Sequence, residues 1–474
     1  MCGVIGLISK KDVLADLFVG MLSLQHRGQD SAGILSFNKK MKLIKKEGLV
    51  PSIFGEKELI ELKANVAIGH TRYPTIGSDF ATDAQPFMVS KPYEIGIAHN
   101  GNLVNYVELK KELNLENACV LSSCDVEAIL HVFVRALPEE FSVEALFEAT
   151  KKVFVEAKGS YSVVMVIKDK GLFAFRDPHS IRPLIMAEKT FDGIKSIGFA
   201  SESLSLTSIG YKIVRDLKAG EAVFVDSELN LISKVLADEK PAHCMFEWVY
   251  FSGAESIIDG LEVYTARINL GKELAVAWKK TGLNADVVIP VPDTSRTAAS
   301  KLAEEIGVPY REGLIKNRYI ARTFIMASQA RRENGVRLKL NPVQSEIKGK
   351  NILLVDDSIV RGTTSKKIVK LLKDNGAKKV FFLSTCPPII SPCFYGIDMP
   401  SKKELIASRL SVEEIRKEIN VDFLLYNSID SLKNALGISD LCLACLTGKY
   451  PVSVPKETEQ EFEKTRIEER KKCD

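Results

Sequence analysis

Apolar and polar positions follow two different rhythms along this chain. In the first half, residues 12–24 (DVLADLFVGMLSL) place apolar side chains at helical spacing. Short apolar runs then recur as GILSF, NVAIGHT, EIGIAHN, YSVVMVI, LFAF, IGFA and EAVFV, each of strand length. Helical patterns at 105–113, 125–136 and 143–155 sit between them. Strands paired through short turns predict antiparallel sheets, and their grouping with helices predicts an α+β layered fold. In the second half DVVIPVPD, NILLVDD and KKVFFLST are uninterrupted apolar strands. Helices at TAASKLAEEIG, SKKIVKLLKDNG and SVEEIRKEIN alternate with them. Strands buried on both faces and separated by helices predict a parallel sheet of α/β type.

The rhythm changes after LNLISKVLADEKPAH, so the boundary is expected near 235–245. That gives domains at 2–238 and 239–455, with residues 456–474 as a charged tail, read as a solvated helix or frayed end. A length of 474 residues fits two or three domains, and 46% hydrophobic with 27% charged residues is ordinary for a globular protein. No internal repeat is apparent. The net charge of +4 is small and dispersed, which argues against nucleic acid as a partner. No apolar run approaches the ~18 residues of a membrane span, and MCGVIGLISKKD lacks the basic start of a signal peptide. A cytoplasmic protein is expected. Nine cysteines there imply a nucleophile, metal ligands or inert buried thiols rather than a disulfide framework.

Cys2 directly follows Met1. Removal of Met1 would give one residue a thiol and a free α-amine of ordinary pKa, about 7.7–8.0, able to act as its base. Four polar segments supply the other groups that amide hydrolysis needs: QHRGQDSAG, GHTRYPT, AHNGNL and SSCDVE. Asn100 offers a side-chain amide and Gly101 a closely approachable backbone N–H for an oxyanion. Arg72 can grip an α-carboxylate in bidentate fashion, and Asp125 can take an α-ammonium. Taken singly, these are also an ordinary strand-end arginine, a turn Asn-Gly and a helix-capping aspartate. Together and in this order, MCGVIGL, QHRGQDSAG, GHTRYPT, HNGNL and the Asp125 segment resemble the N-terminal-nucleophile glutamine amidotransferases over residues 2–235. The resemblance implies an αββα glutaminase domain, with Cys2, Asn100 and Gly101 catalytic and Arg72 and Asp125 binding glutamine.

NILLVDDSIVRGTTSKK ends an apolar strand in Asp356 and Asp357 and opens a helix through Ser358, Arg361, Gly362, Thr363 and Thr364. Adjacent carboxylates suit vicinal ribose hydroxyls and a Mg²⁺ that takes oxygen ligands. Hydroxyls and backbone N–H groups at a helix start suit a phosphate. No G-x-x-x-x-G-K-[ST] occurs, which excludes an ATP-driven P-loop reading. The segment resembles the signature of the type I phosphoribosyltransferases. That resemblance turns Asp293 and Ser295 toward pyrophosphate and gives Mg²⁺ the ligands Thr294, Asp356 and Asp357. The cationic stretches KNRYIARTFI and QARRENGVRLKL look like a lid, with Lys316, Arg318 and Tyr319 as its first candidates for phosphoribosyl pyrophosphate binding.

Both halves together resemble the glutamine phosphoribosylpyrophosphate amidotransferase family. That implies amination of phosphoribosyl pyrophosphate by glutamine-derived ammonia at the start of purine synthesis. It also implies inhibition by purine nucleotides and a homo-oligomer. Cys442 and Cys445 form a C-x-x-C, and Cys244 and Cys393 are distant single cysteines. Four thiolates could hold a [4Fe–4S] cluster or a tetrahedral Zn²⁺. Resemblance to the iron–sulfur, Bacillus-like branch of the family assigns them to the cluster, and assigns no role to Cys119, Cys124, Cys386 or Cys473. Two other readings remain: a catalytically idle sensor of phosphoribosyl pyrophosphate, and a glutamine-dependent sugar aminotransferase. The first needs no intact glutaminase residues; the second would lack DDSIVRGTT.

Overall fold

The computed structural model describes residues 2–73, 82–116, 118, 120–317, 340–399 and 401–459. Two antiparallel sheets form the first half. One has seven strands, in the order Lys212–Asp216, Ile185–Phe191, Ile194–Ala200, Gly3–Ser9, Val66–Arg72, Ser31–Phe37 and Met41–Glu47. The other has six, in the order Leu231–Val235, Glu221–Asp226, Gly171–Arg176, Gly159–Ile167, Ile95–Leu103 and Phe87–Val89.

Side chains alternate across a strand, and the strand Gly159–Ile167 uses both faces. Val164 and Val166 pack toward Val4, Ile8 and Ile68 of the other sheet. Val163, Met165 and Ile167 pack instead under the helices Asp125–Arg135 and Val143–Glu156. The helix Leu14–Ser23 covers the outer face of the seven-stranded sheet through Leu14, Leu17 and Met21, against Ile5, Leu7 and Ile34. The result is the αββα arrangement.

The second half carries a parallel sheet in the order Val287–Pro290, Asn351–Asp356, Lys379–Ser384 and Phe423–Tyr426. Leu274, Trp278, Ala299 and Leu302 pack on one face against Val288, Leu353 and Phe381. Ile368, Leu372 and Ile415 cover Ile289, Leu354 and Phe382 on the other. The three strands Val287–Pro290, Asn351–Asp356 and Lys379–Ser384 are therefore buried on both sides, as their unbroken apolar composition requires, while the edge strand Phe423–Tyr426 is partly exposed.

Two connections hold the halves together, and a third ties the start of the second half to its end. In that third, residues His243–Cys244 pair in parallel with Leu441–Cys442. The buried Arg176 binds Asp259 through Nη1 at 2.7 Å and Nη2 at 2.9 Å. The stretch 394–398 lies on the six-stranded sheet: Asn102 Nδ2 donates to the Phe394 carbonyl at 2.9 Å, and Ser160 Oγ to that of Tyr395 at 2.8 Å.

Candidate active site

Cys2 lies just before the strand Gly3–Ser9, whose first residue pairs with Thr71. The Cys2 backbone N–H donates to Asn100 Oδ1 at 3.2 Å, and its carbonyl accepts from Arg27 Nε at 3.1 Å. Its Sγ lies 3.6 Å from the Tyr73 carbonyl. Asn100 belongs to the opposing sheet, paired with Ser162, and is buried. Its Nδ2 has no hydrogen-bond partner among the described residues. A buried, unused amide donor beside a thiol is what a developing oxyanion requires, and an unexplained cost otherwise. Gly101 follows; a Cβ there would collide with the Ser160 carbonyl oxygen, so the strand can pair this closely only with glycine, and a Cβ on Gly396 would in turn crowd the Gly101 backbone.

Arg72 closes the strand Val66–Arg72 and is buried. Its Nη1 donates to the Asp83 carbonyl and to Cys124 Sγ, the latter at 3.2 Å, while Nη2 lies 3.5 Å from Asp83 Oδ2. Asp125 opens the helix Asp125–Arg135. Its Oδ2 accepts from Leu103 N–H at 2.8 Å, and its Oδ1 lies 3.2 Å from His99 Nε2. Burial alone would raise the Asp125 carboxyl, but His99 and the Leu103 N–H outweigh it and hold it below the usual range. Arg72 is thus near enough to Cys2 for their charges to interact, and Asp125 is bound to the strand that carries Asn100.

Beneath Cys2 runs a buried ionic network that sequence reading did not anticipate. Arg27 pairs with Glu202, and its Nη2 binds both oxygens of Glu247 at 2.9 and 3.0 Å. Arg182 Nη1 reaches Glu247 Oε1 at 3.3 Å, and Arg182 Nε donates to the Tyr395 carbonyl at 2.8 Å. Burial would raise Glu202, but Arg27 and His26 pull it far below the ordinary carboxylate range. Glu247 comes from the second half, so the network ties the backbone of Cys2 to the domain junction.

The second site stands at the carboxyl ends of two neighbouring parallel strands, where Pro290 pairs with Val355. Such strand ends are the usual ligand position in open α/β sheets. Asp356 is buried, accepts from Asp357 N–H at 2.9 Å, and lies 3.4 Å from Ser295 Oγ. Ser358 Oγ donates to Asp357 Oδ1 at 2.9 Å. Burial and the adjacent Asp357 push the Asp356 carboxyl well up. Burial also pushes Asp357 up to about 6, against Ser358 and Arg267. Gly362, at φ +79°, turns the chain into the helix Thr363–Asp374, so Thr363 and Thr364 present its first turn. Asp293 and Thr294 lie on the loop after Val287–Pro290; Asp293 is held by Lys316 Nζ at 2.6 Å and Arg296 Nη1 at 3.1 Å. Arg361 is turned toward Glu404, 3.3 Å away. Arg318 and Tyr319 lie outside the described residues.

The four cysteines of the predicted cluster come together. Cys244, Cys393, Cys442 and Cys445 line one small cavity with Arg182, Met245, Phe246 and Tyr395. Cys244 and Cys442 face each other across the His243–Cys244 and Leu441–Cys442 ladder. Among the described residues no three His, Cys, Asp or Glu side chains are gathered tightly enough for one metal ion.

Comparison with known proteins agrees with this geometry. A glutamine amidotransferase domain family matches residues 70–208, and a phosphoribosyl transferase domain family matches residues 261–426. The amidophosphoribosyltransferase of Pseudomonas aeruginosa is 44% identical, over 92% of this chain and 89% of its own length. That of Methanocaldococcus jannaschii is 43% identical, over 96% and 98%. The solved glutamine phosphoribosylpyrophosphate amidotransferase of B. subtilis, complexed with ADP and GMP, superposes with a TM-score of 0.87 at 38% identity, covering 96% of this chain and 98% of that one. With an αββα glutaminase half and a parallel phosphoribosyltransferase half matched end to end, the chain belongs to the amidophosphoribosyltransferase family and performs the glutamine-dependent amination of phosphoribosyl pyrophosphate in purine biosynthesis.

Proposed function

We propose that Cys2 is the nucleophile that releases ammonia from glutamine, and that the pocket of Asp356 and Asp357 consumes it. The observation that carries the first half is the pairing of Cys2 N–H with Asn100 Oδ1 at 3.2 Å, which leaves Asn100 Nδ2 buried and free to donate. With Met1 removed, the Cys2 amine takes the thiol proton while sulfur attacks the amide carbon. Asn100 Nδ2 and the Gly101 backbone N–H then stabilise the oxyanion. The proton passes to the departing ammonia, a glutamyl thioester remains, and water releases glutamate. Arg72 and Asp125 bind the α-carboxylate and α-ammonium.

At the second site Asp356 and Asp357 hold the ribose hydroxyls, Thr363, Thr364 and Gly362 the 5-phosphate, and Asp293, Ser295 and Lys316 the pyrophosphate. Ser358 and Arg361 belong to the same loop, and Arg318 and Tyr319 to the lid. Ammonia attacks C1 of the sugar and pyrophosphate departs, giving phosphoribosylamine. The paired buried carboxylates fit Mg²⁺ with Thr294 as a further oxygen ligand, and the metal when bound offsets charge on the leaving pyrophosphate. Cys244, Cys393, Cys442 and Cys445, which line one cavity, are the residues that would hold a [4Fe–4S] cluster, and when bound it would clip the segments around 244, 393 and 442–445 together. The thiols support this only in exchange for their protons, since burial pushes Cys244 up to about 11. The compartment that goes with this reading is the cytoplasm, where a nucleophilic Cys2 stays reduced. Purine nucleotides such as those in the B. subtilis complex are the proposed inhibitors.

A glutaminase assay with and without phosphoribosyl pyrophosphate, alongside iron and zinc analysis of anaerobically purified protein, tests these assignments. Expected are glutamine hydrolysis, amide nitrogen appearing in phosphoribosylamine, and about four irons per chain. Protein without glutaminase activity would overturn the catalytic assignment, and one stoichiometric zinc would overturn the cluster.

A further inference from the structure

Between the two residues proposed for the charged ends of glutamine stands one side chain that the reaction scheme does not use. Cys124 is 4% exposed and immediately precedes Asp125. Its Sγ lies 3.2 Å from Arg72 Nη1 and 3.5 Å from Gln85 Nε2. Gln85 is fixed from behind: its Oε1 accepts from His99 N–H at 2.8 Å, and its Nε2 lies 3.1 Å from His99 Nδ1. On the far side of Arg72, Asp83 is held by Ser123 N–H at 2.9 Å. The tripeptide Ser123–Cys124–Asp125 therefore touches Arg72 directly through the thiol and indirectly through Asp83, and presents Asp125 one residue later.

A thiol has particular consequences at this position. Burial pushes it up to about 12, against the pull of Arg72, so it stays neutral. A neutral, polarisable sulfur takes an N–H from the guanidinium without cancelling the charge that a substrate carboxylate needs. A carboxylate there would add a second anion to Asp83 beside Arg72, and an aliphatic side chain would remove the sulfur acceptor that Nη1 uses alongside the Asp83 carbonyl.

We propose that Cys124 is a positioning residue for glutamine: its thiol sets the Arg72 guanidinium at the spacing from Asp125 that fits the α-carboxylate and α-ammonium of one amino acid. This rests on the assignment of Arg72 and Asp125 as the glutamine-binding pair.

The test uses the full-length enzyme and two substrates, glutamine and glutaminamide, in which a carboxamide replaces the α-carboxylate. Cys124→Val and Cys124→Ala should each raise the KM for glutamine tenfold or more and narrow its preference over glutaminamide. Ammonia-dependent synthesis should stay at the wild-type rate, reporting an intact fold. Cys124→Ser, which keeps an acceptor, should remain within threefold of wild type. An unchanged glutamine KM in both Val and Ala variants overturns the inference, as does a Ser variant no better than Ala. Arg72→Lys separates the two readings. If the preference for glutamine survives in R72K, the Arg72 assignment itself fails; if it collapses there but persists in C124V and C124A, only the role of Cys124 fails.

Discussion

In the proposed glutaminase site, single residues carry the chemistry through groups left unsatisfied by the protein. Asn100 is the clearest: one end of its amide is spent on the Cys2 backbone, and the other has no partner among the described residues. Asn100→Ala should therefore lower kcat for glutamine about 10²–10³-fold, the usual effect of losing one oxyanion donor. Ammonia-dependent turnover should be unchanged; a loss confined to KM would point to a binding role instead. Cys2, Arg72, Asn100 and Asp125 could be singled out in the sequence as candidates, because they stand beside apolar runs in segments that resemble the amidotransferase family. Their supports were not legible. Arg27 meets Glu202 and Glu247 across 175 and 220 residues, and no local pattern signals such a partnership. Gln85 and His99 were hidden for the same reason, and Cys124 read as a buried thiol without a role.

At the scale of elements, many apolar strands and amphipathic helices were read with ends within a few residues, from Leu14–Ser23 to Val412–Glu418, but the helices Val263–Lys279 and Ile429–Leu436 and the strands Ile185–Phe191 and Phe423–Tyr426 were not read. The strand Gly3–Ser9 was taken as a motif rather than an element, because GVIGLIS neither alternates nor contains a polar break; it lies in the middle of the seven-stranded sheet with both faces buried. The strand Leu231–Val235, LISKV, is apolar at three of five residues yet exposed at every one, and it was read as part of the domain boundary. The junction between the strand Asn351–Asp356 and the helix Thr363–Asp374 is where function works against stability. Two adjacent carboxylates at a buried strand end disfavour their own charge. Asp356→Asn should abolish phosphoribosyl transfer yet leave basal glutaminase activity. It should also raise the neutral-pH Tm of the ligand-free, magnesium-free protein by a few degrees, on the order of 1 kcal/mol. A lower Tm would mean that the carboxylate is structurally required in the free state.

Across the whole molecule, the glutaminase and transferase halves are joined by buried ions as well as by the cysteine cavity. Glu202 lies under Arg27 and beside His26, and its Oε2 also accepts from Gly253 N–H at 2.9 Å and from Ser256 Oγ at 2.8 Å. Its carboxyl is depressed in the folded state, so its stabilisation is present above the unfolded value of about 4.3 and is lost as pH falls toward the folded one. Glu202→Gln should cost about 3 kcal/mol or more at pH 7, as expected for breaking a buried pair. The gap from wild type should close progressively below about pH 4. A gap that stayed constant with pH in calorimetry would contradict this electrostatic reading. The account as a whole claims that nitrogen is released at Cys2 and used elsewhere in the same chain. The most direct measurement is pyrophosphate release by Cys2→Ala with glutamine and, separately, with ammonia. Loss of the glutamine-dependent rate with the ammonia-dependent rate retained is the predicted result; glutamine-dependent synthesis at the wild-type rate would contradict it.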